Sequence, residues 1–198
     1  MAEISRVALF GKLNSLCYRA IESSTVFCKL RGNPYVELIH WLHQILQLQD
    51  SDLHRIIRHY ELDAAGLARD LTAALDRLPR GASSVTDLSS QLEETVERAW
   101  IFGSLMFGES QVRSGHLVVG MLKTSNLRNA LYAMSRQFER IKLDDLSENF
   151  AKLLDASPEA QMTATDGFQT GGGAAPGEAS GAIAPPTSNA DNTSLRGQ

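Results

Sequence analysis

Apolar residues recur three and four positions apart through most of the first 157 residues, and no stretch alternates for long enough to suggest a strand. The pattern predicts about eight helices. The first runs from near Ile4 to Leu30, burying Leu9, Leu13, Leu16, Cys17, Ala20 and Phe27, with Gly32 as its stop. Asn33 and Pro34 supply a cap and a first-turn proline for a helix carrying His40 to Leu46. Asp50 or Ser51 caps a segment reaching Tyr60, and Asp63 caps a helix that Pro79 ends. After a polar linker from Pro79 to Asp87 the series begins again. Its second helix starts after Ser114 and Gly115, its third after Ser125, and its fourth near Leu143.

The residues themselves repeat at a spacing of about 75. Glu22, Val26, Phe27, Leu30, Gly32, Val36, His40, Ile45 and Leu46 are answered by Glu97, Ile101, Phe102, Leu105, Gly108, Val112, His116, Met121 and Leu122. Asp70, Leu71, Leu75 and Leu78 are answered by Asp145, Leu146, Phe150 and Leu153. One-residue slips fall only between helices, so the units span 13–78 and 88–153. A duplicated unit of this kind packs against its twin around a shared core. The fold class predicted is all-α: two pseudo-two-fold-related four-helix repeats in residues 1–157, with an extra N-terminal helical segment and a disordered C-terminal tail. Nothing in the matched set is a catalytic grouping, which points to a scaffold that presents a surface.

Residues 1–12 have no counterpart in the second unit. At 100° per residue, Leu9, Phe10 and Leu13 face the core while Ile4, Val7, Ala8, Gly11 and Ser15 fall on the opposite side. A helix apolar on both sides is either wholly buried, here as a cover over the repeat interface, or half of a groove. The small residues Ala8, Gly11 and Ser15 would admit a second helix closely, as helix-in-groove recognition requires. Leu88 and Leu92 are the candidates for the opposite wall if the two-fold relation brings the first helices' starts together.

Composition changes the picture at the C-terminus. Residues 158–198 hold seven of the fifteen glycines and four of the six prolines, and cannot bury enough apolar surface to offset the entropy of ordering. They read as a Gly/Ala/Pro-rich linker leading from this fragment into a larger protein. The net charge is -4, and the tail carries four acids against one base, which leaves the body near neutrality. That balance gives no nucleic-acid footprint. No apolar run approaches the roughly 20 residues of a membrane span, so no membrane partner is expected and a cytoplasmic location is the default. Cys17 and Cys28 on one helix lie ~16 Å apart at ~1.5 Å per residue, too far for a bridge.

Candidate chemistry is sparse, and no catalytic residue, metal ligand or cofactor site is assigned. Gly11-Lys12 lacks the surrounding glycines and following hydroxyl of a phosphate loop. The stretch G-E-S-Q-V from Gly108 to Val112 begins like a nucleophile elbow but has Val112 where glycine is required. His40 and His43 have helical spacing for two metal ligands but no recognisable further ones, so His40 and His116 read as packing residues against the other repeat and His43 as a surface residue. His54, Arg55, Arg58 and His59 form a small basic helical face.

The paired motifs H-W-L-H-Q-I-L and H-L-V-V-G-M-L, one in each repeat, resemble the N-terminal domain of Clp-type AAA+ unfoldases. The opening I-S-R-V-A-L-F-G-K-L-N-S-L, with F-C-K-L-R-G-N-P-Y-V-E-L-I-H-W-L and S-L-M-F-G-E-S-Q-V-R-S-G, is similar to the ClpV (TssH) branch of type VI secretion over essentially all of 1–157. The resemblance implies a substrate-recognition domain that grips an N-terminal helix of a contracted sheath subunit for a homohexameric ATPase. ATP and magnesium belong to the AAA+ rings that this fragment lacks, and the fragment itself is expected to be a monomer. The competing readings are the N-domain of another Clp-type chaperone, taking an adaptor or unfolded protein, and a free-standing helical hydrolase.

Overall fold

A long helix ended by a left-handed glycine opens each repeat, and a helix capped by its own histidine follows. The computed structural model describes residues 3–167, and of the linker expected over 158–198 the part from 168 to 198 lies outside them. The first repeat contains α2 (Ser15–Arg31), α3 (Leu38–Leu46), α4 (Asp52–His59) and α5 (Ala64–Asp76). The second contains α6 (Ser90–Phe107), α7 (Ser114–Lys123), α8 (Ser125–Met134), and α9 (Leu143–Glu148) followed by α10 (Phe150–Leu154). The fourth helix near Leu143 thus breaks in two at Asn149. Gly32 and Gly108 close α2 and α6 at φ 69° and 64°, a conformation that costs other residues a Cβ clash.

The pseudo-symmetry extends to the backbone between helices. Strand β1 (Tyr35–Val36), just before α3, pairs in parallel with β2 (Asp87–Leu88), just before α6. Leu13, just before α2, forms a parallel bridge with Val112, just before α7. Leu13 and Leu88 are equivalent, as are Val36 and Val112, so each repeat's entry segment pairs with the middle of its twin. Two-residue strands carry no readable alternation, which is why periodicity gave only helices.

The expected first helix is interrupted. Residues Arg6–Phe10 form a separate α1, and the chain kinks through Gly11–Asn14 before α2 begins. Asn14 causes the break: its Oδ1 accepts from the Cys17 N–H at 2.9 Å, making it the cap of α2. The assigned inner face of Leu9, Phe10, Leu13, Leu16, Cys17 and Ala20 is buried throughout. Cys17 and Cys28 are both free and buried.

The two histidines do the same local job. His40 Nδ1 accepts from the Glu37 N–H at 2.9 Å and His116 Nδ1 from the Arg113 N–H at 3.0 Å, closing a capping box at α3 and at α7. Their aromatic neighbours lie within their own repeats: Phe27 for His40, Phe107 and Phe150 for His116. The expected packing against the opposite repeat is therefore corrected. Burial, aided by Arg31 and by Arg113 respectively, pushes the pKa of His40 down to about 4 and of His116 down to about 3. His43 is half-buried and stacks on Phe27 with ring centroids 4.8 Å apart.

Residues 158–167 are packed on the body, which corrects the expected boundary at 157. A 3₁₀ turn at Pro158–Gln161 carries Glu159 into the core with no solvent exposure. Its carboxylate accepts from Asn14 Nδ2 at 3.0 Å, the Asp52 N–H at 2.7 Å and the Ser114 N–H at 2.8 Å, and also from the Ser114 hydroxyl. Beside it, Arg113 makes a two-pronged pair with the buried Asp52 at 2.8 Å on each prong and donates to the Leu154 carbonyl. Beyond Gln161, Thr165 N–H bonds the Leu13 carbonyl at 2.9 Å and Asp166 N–H the Gly11 carbonyl at 3.0 Å. Composition could not show this, because a single buried carboxylate with many donors outweighs a polar, Gly-poor decapeptide's lack of apolar area.

Two outcomes follow for stability. Glu159→Ala strands donors from both repeats, and loss of one member of such a buried charged cluster costs about 3–5 kcal/mol. A chain ending at Ser157 is accordingly expected to melt below one ending at Gly167; equal midpoints would show that the segment only rests on the domain. For the histidines, the unfolded chain takes up protons below its ordinary pKa of about 6.5 that the folded domain refuses. Their contribution is fully present above that pH and is lost as pH falls towards 4 for His40 and 3 for His116. Glu159, pushed up by burial and by Asp52, acts in the opposite sense. Replacing both histidines with Gln, which can also close a capping box, is expected to flatten the acid limb of thermal stability measured from pH 7 to 4.5. An unchanged slope would assign that limb to other groups.

Candidate functional site

Helix α1 stands outside both repeats and is too short to be stable alone, so its position is set by what it touches. Leu9 and Phe10 insert into the core and Ser5 caps the helix by accepting from the Ala8 N–H at 3.2 Å. The opposite side is open. Ile4 is 63% exposed and Val7 86% exposed, and Ala8 is exposed as well. Large apolar side chains this accessible at the start of a helix packed along α6 give a short apolar edge.

The rest of the expected strip divides. Gly11 and Ser15 are half-buried under the chain's own residues 162–166. A Cβ on Gly11 would come within 3.1 Å of Asp166 Cβ, and Ser15 Oγ contacts Met162 Sδ at 3.7 Å. These two positions are therefore occupied from within and are not open to a partner helix. Leu88 is half-buried in β2, next to the α1 side of α6. Leu92 has no exposure at all: with Val96 and Ala99 it forms the core stripe of α6. Because α6 begins only at Ser90, Leu88 and Leu92 do not share a helical face, and Leu92 is corrected from groove wall to core.

Sequence reading missed the group that fixes this edge. Arg6 donates through Nη1 and Nη2 to the two oxygens of Asp87 at 2.6 and 3.1 Å, and through Nε to Glu93. The guanidinium holds the Asp87 carboxyl below its usual range, with help from the Leu88 N–H. At the far end of α1, Lys12 pairs with Asp166 at 3.0 Å and lies over the Trp100 ring at 5.0 Å. Charge spacing of 81 and 87 residues leaves no periodic trace in a sequence, so only the fold could reveal this clamp.

Other candidates recede. The basic face of α4 is largely paired, Arg55 with Asp50 at 2.7 Å and His59 with Asp145 at 3.8 Å, while His54 bonds Ser51. Gly108 to Val112 closes α6 and leads into α7 with no preceding strand, so it is a helix cap and not an elbow. Among the described residues no group of three or more His, Cys, Asp or Glu could hold a metal ion. No described helix is long and apolar enough to cross a membrane. A polar cleft of about 750 Å³ lies between α5 and α8, lined by Asp70, Arg77, Asn129, Tyr132 and Arg136 among others.

The burial contrast sets a test. Leu92→Ala is expected to cost about 2–5 kcal/mol, as for a fully buried leucine. Val7→Asp is expected to change stability by less than about 0.5 kcal/mol, as for an exposed position. Denaturant unfolding of the two variants checks this, and comparable losses would place Val7 in the core.

Comparison with known proteins bears on what such an edge is for. Residues 12–132 match the Clp repeat (R) N-terminal domain. The AAA+ ATPase ClpV1 of Pseudomonas aeruginosa is 66% identical over 185 residues, 93% of this chain and 20% of that protein. The chain thus spans about a fifth of the length of the curated relatives it matches. A solved structure reported under the coevolution of the ATPase ClpV, the TssB-TssC sheath and the accessory HsiE protein is 67% identical, covers 80% of this chain and 98% of its own, and superposes with a TM-score of 0.78. A complex of a ClpV N-domain with a VipB peptide shares the fold at 24% identity, with a TM-score of 0.70 over 80% of this chain and 97% of that one. A Clp N-terminal domain binds substrate and is not itself catalytic. The chain belongs to the Clp repeat (R) N-terminal domain family and, within it, to the ClpV type.

Proposed function

We propose that this domain is the substrate-recognition module of a ClpV-type AAA+ unfoldase, and that it seats a helical peptide from a type VI secretion sheath subunit against the exposed edge of α1. The observation that carries the reading is the pair Ile4 and Val7, held open to solvent, Ile4 just before the cap of α1 and Val7 on that helix, which belongs to neither repeat. An amphipathic peptide helix laid along that edge would cover both side chains, with Ala8 allowing close approach and Leu88 beneath its flank. The relatives supply the kind of partner, since the 67% identical chain comes from work on ClpV and the TssB-TssC sheath, and a domain of this fold is known in complex with a VipB peptide. In the longer protein the captured subunit would pass to a cytoplasmic hexameric motor for sheath disassembly. ATP and magnesium would act only there, because Lys12, the lysine of the Gly11-Lys12 pair, is engaged by Asp166.

Titration of a fluorescent peptide carrying the sheath subunit's N-terminal helix is expected to saturate with the wild type and to fail with Val7→Asp. Retained binding in that variant, particularly if an α5 substitution such as Ala73→Arg abolishes it instead, would move the site to the cleft between the repeats. Calorimetry with Mg-ATP is expected to show no heat, and saturable micromolar binding would overturn the assignment of nucleotide to the motor alone.

A further inference from the structure

We infer that Arg6 is a positioning residue for peptide capture: by clamping α1 to Asp87 and Glu93 across the repeat boundary, it fixes the spacing between the Ile4–Val7 edge and Leu88. The inference rests on the reading of that edge as the docking site and goes further by naming what sets its geometry. Helix α1 has five residues, a single turn and a half, and its core anchors Leu9 and Phe10 both lie at its C-terminal end. The exposed apolar side chains lie at its N-terminal end, Val7 in its first turn and Ile4 just before its cap, and the Arg6 side chain is what ties that end across to Asp87 and Glu93. A planar guanidinium suits this role because it can engage both oxygens of Asp87 while its Nε serves Glu93, which a lysine's single ammonium cannot do.

The clamp is half exposed, with side-chain accessibilities of 46% for Arg6, 48% for Asp87 and 30% for Glu93. Such a group adds little to global stability and is weakened by salt. Its effect is therefore confined to the pose of the edge. Apolar contact alone would leave peptide affinity level or rising with salt, whereas a clamped edge makes affinity fall as salt is raised.

The test uses the sheath-helix peptide with wild type, Arg6→Ala, Arg6→Lys, Asp87→Asn and the double variant Arg6→Ala/Asp87→Asn. Affinity is expected to weaken about two- to fivefold in Arg6→Ala, a loss of the size an exposed ion-pair network supports, with the melting midpoint unchanged. Asp87→Asn should reproduce much of that loss, the double variant should add little to it, and Arg6→Lys should recover only part. The salt dependence should vanish in Arg6→Ala. If Val7→Asp abolishes binding while Arg6→Ala and Asp87→Asn bind as wild type, the clamp is overturned and the docking edge stands. Additive losses in the double variant would make Arg6 a direct peptide contact and also overturn the positioning role. Wild-type affinity in Val7→Asp would remove the docking edge, and the clamp with it.

Discussion

One buried carboxylate decides how the two repeats sit. Glu159 comes from beyond the second repeat, yet it accepts from Asn14 at the start of α2, from the first amide of α4 and from the first amide of α7. Helix N-termini present unpaired N–H groups and a partial positive charge, so those of α4 and α7 converging in the core beside the Asn14 amide would be costly without an anion between them. Asp52 serves the second amide of α7, Gly115 N–H at 3.2 Å, and is balanced by Arg113. Removing one member leaves buried donors or a buried charge without a partner, whereas the apolar core around them could tolerate many substitutions. Buried groups of this sort fix one arrangement of the repeats, because a sliding of one unit past the other would break every bond at once.

The same segment reaches the exposed apolar edge. From Glu159 the chain runs under Gln111, whose amide donates to the Glu159 and Met162 carbonyls, and then bonds the backbone at Leu13 and Gly11. The kink between α1 and α2 is thereby held on one side by Val112 and on the other by Ala164 and Thr165. A five-residue helix keeps a defined direction only under such constraint. The apolar edge, the kink and the buried carboxylate form one connected structure, with Arg6 closing its open end.

The repeats were legible in the sequence because duplication leaves matched residues: the Gly32 and Gly108 stops, and the His40 and His116 pair, each have the same structural role. The inner face of α1 and α2 was also legible, since helical spacing persists through the kink. Besides the Arg6 clamp, three things were hidden. Asn14 looks like any polar residue inside a helix until its cap bond is seen. Leu92 looked like a companion to Leu88 because spacing of four implies a shared face, but the helix begins between them. Glu159 lay in a stretch whose composition signals disorder, and composition averages over the one residue that counts. Of the expected strip, Ile4, Val7 and Ala8 are exposed and Leu88 is half-buried, while Gly11 and Ser15 are covered by residues 162–166.

Amide hydrogen exchange with and without the sheath-helix peptide tests the assignment of the docking edge most directly, since it reads the backbone without altering any contact. Slowed exchange confined to residues 4–10 and 87–93 is the predicted result. Protection appearing instead along α5 and α8, with α1 exchanging as in the free domain, would contradict it.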